Sequence, residues 1–192
     1  MSNLSVADYR AWSGNNDAPD ESFVQAAIDA AEEAINDHCS RQFVVAHVSN
    51  TSTRLYVPAG QIIRIHDAVE VTVVADDGAT VASTGYQLEP LNNLTVAGET
   101  VPYDQIRRLS GYSWACDYGR ATVAVTARWG WTALPAKYTE ATKILTGDIL
   151  AQASVRNGVV GFGEFGALRV RENPMVAFLL SRLVRAESWG IA

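Results

Sequence analysis

The chain has 192 residues, of which 48% are hydrophobic and 19% charged, and its formal net charge is −6. This length suits one domain or one domain with a large insertion. The acidic balance argues against ordinary duplex binding, which needs cationic side chains to displace counterions from phosphates. No stretch predicts a membrane-spanning helix. The N-terminal residues have neither the basic nor the apolar region of a signal peptide, so we expect a protein made in a cytoplasm.

Two helices are predicted at the N-terminus. Ser5 and Asp8 form a variant capping box that starts a short helix through Trp12. Pro19 suits the first turn of a second helix that ends near residues 38–40. Apolar residues mark one face of this second helix: Phe23, Ala27, Ala31 and Ile35. Acidic residues lie toward its other side: Asp29, Glu32, Glu33 and Asp37.

From Phe43 the pattern changes to short runs rich in β-branched and aromatic residues. The predicted strands are Phe43–Val48, Thr53–Val57, Ile62–His66, Val69–Ala75, Ala79–Ala82, Tyr86–Glu89, Ile106–Leu109 and Ala121–Trp129. The sequence Asp76-Asp77-Gly78 is typical of a hairpin turn. Short strands separated by turns predict an antiparallel sheet or a small barrel.

Helix returns at Pro135, where a 3–4 stripe comprises Tyr138, Ala141, Leu145 and Ile149. A glycine-aromatic loop, Gly158–Gly166, follows this helix. Asn173-Pro174 predicts the start of a last helix, with Asn as the cap and Pro at the first position. One face of that helix is predicted to comprise Met175, Phe178, Leu179 and Leu183. The helix is apolar over most of its girth, so we expect more than its own domain to cover it.

The predicted fold class is therefore α+β. The N- and C-terminal helices form a helical bundle, and an antiparallel sheet or small barrel is inserted between them. The predicted domain bounds are residues 1–42 and 133–192 for the bundle and 43–132 for the inserted β domain.

No constellation of residues predicts catalysis, a metal site or a cofactor. His38 and Cys39 are adjacent, and no second His or Cys stands at ligand spacing from them. Gly161-Phe162-Gly163-x-x-Gly166 matches a dinucleotide spacing but lacks the strand–turn–helix context. Cys39 and Cys116 are the only cysteines and stand far apart. We expect two buried thiols, and the sequence leaves a disulfide open as the alternative. We predict that the protein is not an enzyme and that it carries no cofactor.

Two aromatic groups have different interpretations. Trp129 and Trp131 are predicted to pack in the core where the last strand ends. Trp114 lies in a loop-like stretch with Tyr112 and Tyr118. These three rings either stack on a sugar or a protein partner when exposed, or close the end of the β domain when buried. The sequence leaves both alternatives open.

After the β-rich middle, two segments resemble the head–tail adaptor (connector) proteins of long-tailed bacteriophages. The first is Val123–Pro135, which leads into a helix, and the second is Gly158–Val170. The resemblance covers nearly the whole chain. It implies a ring, typically of twelve copies, beneath the portal protein and above the head-closure (stopper) protein. Genomic DNA would pass through this ring without specific binding. The implied location is the virion neck, after assembly in the host bacterial cytoplasm and without a membrane.

The resemblance also directs the choice of candidate site residues. Glycines beside Phe162 and Phe165 favour a contact with a neighbouring subunit or the portal. The full candidate set for the subunit or portal interface is Phe162, Phe165, Arg169, Arg171, Phe178, Arg182 and Arg185. The candidate acidic surface facing the channel is Asp29, Glu32, Glu33 and Asp37.

Two rival functions remain from the sequence. A head-closure or tail-terminator protein is mainly β, and the helices at both ends of this chain count against it. A carbohydrate-binding module would use Trp114 and its tyrosine neighbours.

Overall fold

The computed structural model describes residues 3–14, 20–93, 100–109, 111, 113–117, 119–155 and 173–185. Within these ranges the chain has four α-helices and one antiparallel sheet of six strands, which confirms the mixed α+β class. The chain divides into two compact units. The helical unit is Met1–Arg41 with Leu134–Glu187, and the sheet unit is Gln42–Ala133. The helical-bundle arrangement and the three domain bounds stay predictions.

Both N-terminal helices begin at capping side chains. Helix α1 is Val6–Ser13, and the Ser5 hydroxyl accepts a hydrogen bond of 3.1 Å from the backbone N of Asp8, which confirms the predicted cap. Helix α2 is Glu21–Cys39 and follows Asp20, whose carboxylate caps its first turn. Each cap satisfies backbone N–H groups that have no partner within the helix.

Most of the apolar stripe predicted for α2 is confirmed, because Ala27, Ala31 and Ile35 are buried. Phe23 is half-buried, and Pro19 lies outside the described residues. The buried apolar residues of the helix are Val24, Ala27, Ile28, Ala31, Ala34, Ile35 and Cys39. The small side chains in this set let α2 pack closely on its neighbours, α1 and α3.

Helix α3 is Ala136–Val155, and helix α4 is Pro174–Leu180. The predicted stripe on α3 is confirmed, because all four of its residues are buried: Tyr138, Ala141, Leu145 and Ile149. The Asn173 side chain accepts hydrogen bonds from the first two amides after Pro174, so the predicted cap is also confirmed. Asn173 also donates from Nδ2 to Asp148 on α3 (2.8 Å), which fixes where α4 starts.

The predicted apolar face of the last helix is only partly buried, since Leu183 belongs to the core but Met175 and Phe178 do not. Val176, Leu180 and Leu183 are buried, whereas Met175 and Phe178 are exposed. Because apolar residues surround most of this helix, their periodicity allows several core faces. The contacts of α4 with α3 decide which one is buried.

The six strands form a sheet of order β1-β6-β2-β5-β4, and β3 pairs with the end of β2. The strands are β1 Thr51–Tyr56, β2 Ile62–Asp76, β3 Ala79–Thr80, β4 Tyr86–Glu89, β5 Tyr103–Arg108 and β6 Val123–Trp129. Alternate residues of β6 are buried, as its sequence alternation predicted. These residues belong to the core cluster on one face of the sheet.

Two strand predictions need correction. Phe43–Val48 is not a strand: it contributes one isolated bridge, from Val45 to Trp131, and leads into a short 3₁₀ turn. The two strands predicted over residues 62–75 are one continuous strand, β2. Its first part pairs with β5 and its second part with β6, and the register shifts on both sides of Ala68. The polar pair His66-Asp67 interrupts the sequence pattern without ending the strand.

The predicted hairpin turn between β2 and β3 is confirmed. Asp77 and Gly78 both have positive φ, 47° and 81°, as a two-residue turn matched to strand twist requires. The Asp76 carboxylate accepts a hydrogen bond from the Ala115 amide (3.0 Å). This aspartate therefore has a structural role in the turn.

The segments by which the chain enters and leaves the sheet unit are hydrogen-bonded to each other. We call this arrangement the clamp. The Trp131 amide donates to the Val44 carbonyl, and the Ala46 amide donates to the Trp131 carbonyl (both 2.8 Å). The Phe43 and Trp131 rings stack at 5.3 Å between centroids. Gly130 adopts a φ of 117°, and a Cβ there would collide with the Val44 carbonyl oxygen. Only glycine allows this close approach.

Gly130→Ala tests the clamp. We expect this variant to lower the free energy of unfolding by about 3 kcal/mol, because it adds backbone strain and a collision with a backbone oxygen. Gly147→Ala in α3 is the matched control, since its Cβ would make an ordinary contact of 3.5 Å with the Tyr9 hydroxyl. The control should be stabilised by about 0.5–1 kcal/mol. Urea unfolding followed by circular dichroism measures both, and equal stability of the two variants would contradict the clamp.

Candidate assembly surfaces

The residues of the predicted interface have different positions. Phe162, Phe165, Arg169 and Arg171 lie outside the described residues, so their role stays a prediction. Phe178 is 75% exposed. Arg182 is also exposed.

Arg185 is only 6% exposed, and its backbone N donates to the Cys39 carbonyl (2.9 Å). Its prediction as a portal or subunit contact is therefore corrected. This arginine belongs to the interior of the helical unit, where it joins the segment after α4 to the end of α2.

Helix α4 presents an exposed apolar pair, Met175 and Phe178, which we call the α4 surface. The two residues are three apart, so they are neighbours on one side of the helix. Met175 is 58% exposed. A large exposed aromatic beside an exposed methionine is more typical of a contact surface than of a solvated helix face. The pair lies on a helix whose opposite side is anchored by Val176 and Leu180.

The acidic residues of α2 separate into two groups. Asp29, Glu33 and Asp37 are exposed and stand four residues apart, so they form one row along the helix. Their assignment to a channel wall stays a prediction. Glu32 is 7% exposed, and its prediction as a channel-facing residue is corrected because its carboxylate binds the chain's own backbone.

Glu32 holds the segment that precedes α1. Its Oε1 accepts hydrogen bonds from the backbone N of Asn3 (2.8 Å) and of Leu4 (2.9 Å). The Asn3 amide side chain then donates to the Tyr138 hydroxyl on α3 (3.1 Å). Burial raises the pKa of the Glu32 carboxyl above its ordinary value of 4.5, and the hydrogen bonds from Leu4 and Asn3 oppose this shift. One carboxylate thus joins the N-terminal segment to α2, and Asn3 extends the link to α3.

The raised pKa predicts how stability depends on pH. The folded state binds the Glu32 proton more tightly than the unfolded state, so stability that is present below the unfolded pKa is lost as pH rises through the folded pKa. Relative to Glu32→Gln, the wild type should therefore gain stability as pH falls from about 8 to about 4.

Urea unfolding at each pH measures this difference, and Glu33→Gln controls for the loss of one exposed charge on the same helix. A wild type that loses stability relative to Glu32→Gln on acidification would contradict the assignment.

The tryptophans of the sheet unit are packing residues. Trp129 and Trp131 are buried, which confirms their predicted place in the core. Trp114 is also buried, and its Nε1 donates to the Gln61 carbonyl (2.9 Å). The alternative in which Trp114 is exposed for sugar stacking is therefore corrected. Tyr112 and Tyr118 lie outside the described residues.

Neither cysteine is in a disulfide. Cys39 is buried as predicted, and burial raises the pKa of its thiol to about 12. Cys116 is exposed, so the expectation of a second buried thiol is wrong. Among the described residues, no three His, Cys, Asp or Glu side chains are grouped to hold a metal ion. No helix in the same part of the chain has the length and apolarity to cross a membrane.

Three exposed apolar residues in the region 48–57 of the sheet unit were not predicted from the sequence. Val48 is 80% exposed, Leu55 66% and Val57 52%. A signal for this region was present, because Arg54 is the only Lys, Arg, Asp or Glu between Arg41 and Arg64. Strand-forming residues with almost no charge are typical of a surface that another chain covers.

No protein-family model matches this chain. A search of curated proteins likewise finds no match. Solved structures do share its fold. One is a chain in the neck of a native GTA particle computed with C12 symmetry, with a TM-score of 0.52 and 18% sequence identity, covering 96% of this chain and 90% of that chain.

A second similar chain is in the neck of an empty GTA particle computed with C6 symmetry. Its TM-score is 0.53 and its identity 18%, with 97% of this chain and 92% of that chain covered. A third is in the virion of a native gene transfer agent particle, with a TM-score of 0.55, 18% identity and the same coverage. The likeness therefore extends over nearly the whole of each chain and defines a shared fold.

Proposed function

We propose that this chain is a structural protein of a virion neck and that, within the neck, it is a head–tail adaptor. One observation carries the proposal: its fold matches chains from GTA necks and virions over 96–97% of its length. A match of this extent includes both the helical unit and the inserted sheet unit, so it is more than the likeness of one common motif. The adaptor-like segments of the sequence independently favour the same role.

As an adaptor, the chain forms a ring of twelve copies beneath the portal. The C12 symmetry of one similar neck supports this copy number. Each copy in such a ring meets its two neighbours through different patches, a heterologous interface that closes by rotation. The exposed α4 surface is suited to one side of this interface or to the portal. Phe162, Phe165, Arg169, Arg171 and Arg182 remain its proposed companions.

The exposed acidic row of α2 is proposed to line the channel through which the DNA passes. Three carboxylates at four-residue spacing repel phosphates, so a wall built from them lets the duplex pass without specific binding. The ring joins the portal on one side to the head-closure protein on the other, in the neck of a particle assembled in the host bacterial cytoplasm. No cofactor or membrane takes part in this proposed role.

Co-assembly with the portal protein of the same genome tests the proposal. Purified portal rings are mixed with excess adaptor and the product is weighed by native mass spectrometry. The proposal expects one added copy of this chain for each portal subunit. Portal rings of unchanged mass, with the added protein still free, would contradict it.

The variant Met175→Ser with Phe178→Ser tests the α4 surface in the same assay. Both residues are exposed, so we expect folding to be retained and assembly to weaken roughly tenfold or more, because burial of one such side chain contributes about 1.5–3 kcal/mol. Leu91→Ser, which changes a residue of the sheet unit that is 59% exposed, is the matched control. Unchanged assembly of the double variant would exclude the α4 surface from the interface.

A further inference from the structure

The sheet unit has one edge strand that lacks the usual protection. In the part of the chain that the structure describes, β1 pairs with β6 alone and stands at one end of the strand order. Its register with β6 runs without a shift from Thr51, opposite Arg128, to Tyr56, opposite Val123. The strand therefore has six residues with no bulge and no proline.

The other edges are protected in ways that proteins commonly use against unwanted pairing, namely shortness, charge and proline. Strand β4 has four residues, is followed by Pro90, and carries Glu89 in an ion pair of 2.7 Å with Arg107. Strand β3 has only two residues. Strand β1 is longer than both, contains no proline, and has Arg54 as its single charged residue.

The single charge on β1 is directed away from the exposed face. The Arg54 guanidinium lies 4.5 Å from the centroid of the Trp129 ring, and the Trp129 Nε1 donates to the Ser52 carbonyl (2.9 Å). Trp129 thus anchors the inner face of the strand. Thr51, Thr53 and Leu55, which alternate with Ser52 and Arg54, are exposed; Ser52 is exposed as well, and Arg54 is half-buried. The result is a firmly held strand with an uncharged outer face.

We propose that β1 pairs with an extended segment of a second copy of this chain. The inference rests on the proposed ring, which places identical copies side by side around one axis. A strand edge presents backbone N–H and C=O groups that only another extended backbone can satisfy in series. Because the exposed face lacks charge, the incoming segment is uncharged as well, and Leu55 packs against it. The pairing is heterologous, so it extends around the ring.

Hydrogen exchange measured by mass spectrometry tests this pairing. Peptides covering residues 51–56 are compared in the free protein, in the portal-bound ring, and after addition of the head-closure protein. We expect exchange in these peptides to slow by at least about tenfold when the ring forms on the portal. Thr53→Lys with Leu55→Lys should abolish this protection and weaken ring formation. Leu91→Lys, an equally exposed change away from the edge, should leave both unchanged.

Each outcome decides between defined alternatives. A ring that forms with unchanged exchange at β1 overturns the pairing while the proposed function stands. Protection that arises only after the head-closure protein is added assigns the edge to that protein and likewise overturns the pairing with a second copy. If the wild-type chain forms no ring on the portal and does not self-associate at high concentration, both the pairing and the proposed function fail. Equal effects of the two lysine variants would also contradict the proposal.

Discussion

The sheet unit depends on the clamp between its incoming segment at Val44 and its outgoing segment at Trp131. The positive φ of Gly130 lets two backbone segments approach closely enough for reciprocal hydrogen bonds. The neighbouring Asp67 strengthens this junction, since its carbonyl accepts from the Gly130 amide and its carboxylate accepts from the Trp131 indole. An insertion whose ends are hydrogen-bonded to each other depends little on its flanking segments for stability. The long β2 strand can then organise the sheet between those ends.

The helical unit differs from the sheet unit, because its parts come from opposite ends of the sequence. Glu32 binds the backbone ahead of α1, and Asn3 continues the link to Tyr138. The Arg185 amide on the segment after α4 bonds to Cys39 at the end of α2. These bonds join residues that are distant along the chain. Three exposed surface features lie apart from them: the α4 surface, the acidic row and the β1 edge. In the proposed adaptor role, the α4 surface and the β1 edge would contact neighbouring chains and the acidic row would face the channel.

Sequence patterns predicted the elements whose periodicity is unambiguous. The stripes of α2 and α3 and the alternation of β6 each have one apolar face, so one arrangement is favoured. Helix α4 is apolar on nearly every side, so its periodicity did not identify Val176 and Leu180 as the buried residues, which tertiary contacts decide. Glu32 was placed on the surface because its partners, Asn3 and Leu4, are almost thirty residues away. Of the candidate interface residues that the structure describes, Phe178 and Arg182 are exposed and Arg185 is buried.

The central claim is that this chain occupies the neck of a virion as a ring between the portal and the tail. Electron microscopy of intact particles from the same genome tests it most directly, with the chain identified by its side-chain density. The account predicts twelve copies around the channel directly beneath the portal, in contact with it. Density for this chain elsewhere in the particle, or none at all in the neck, would contradict the account.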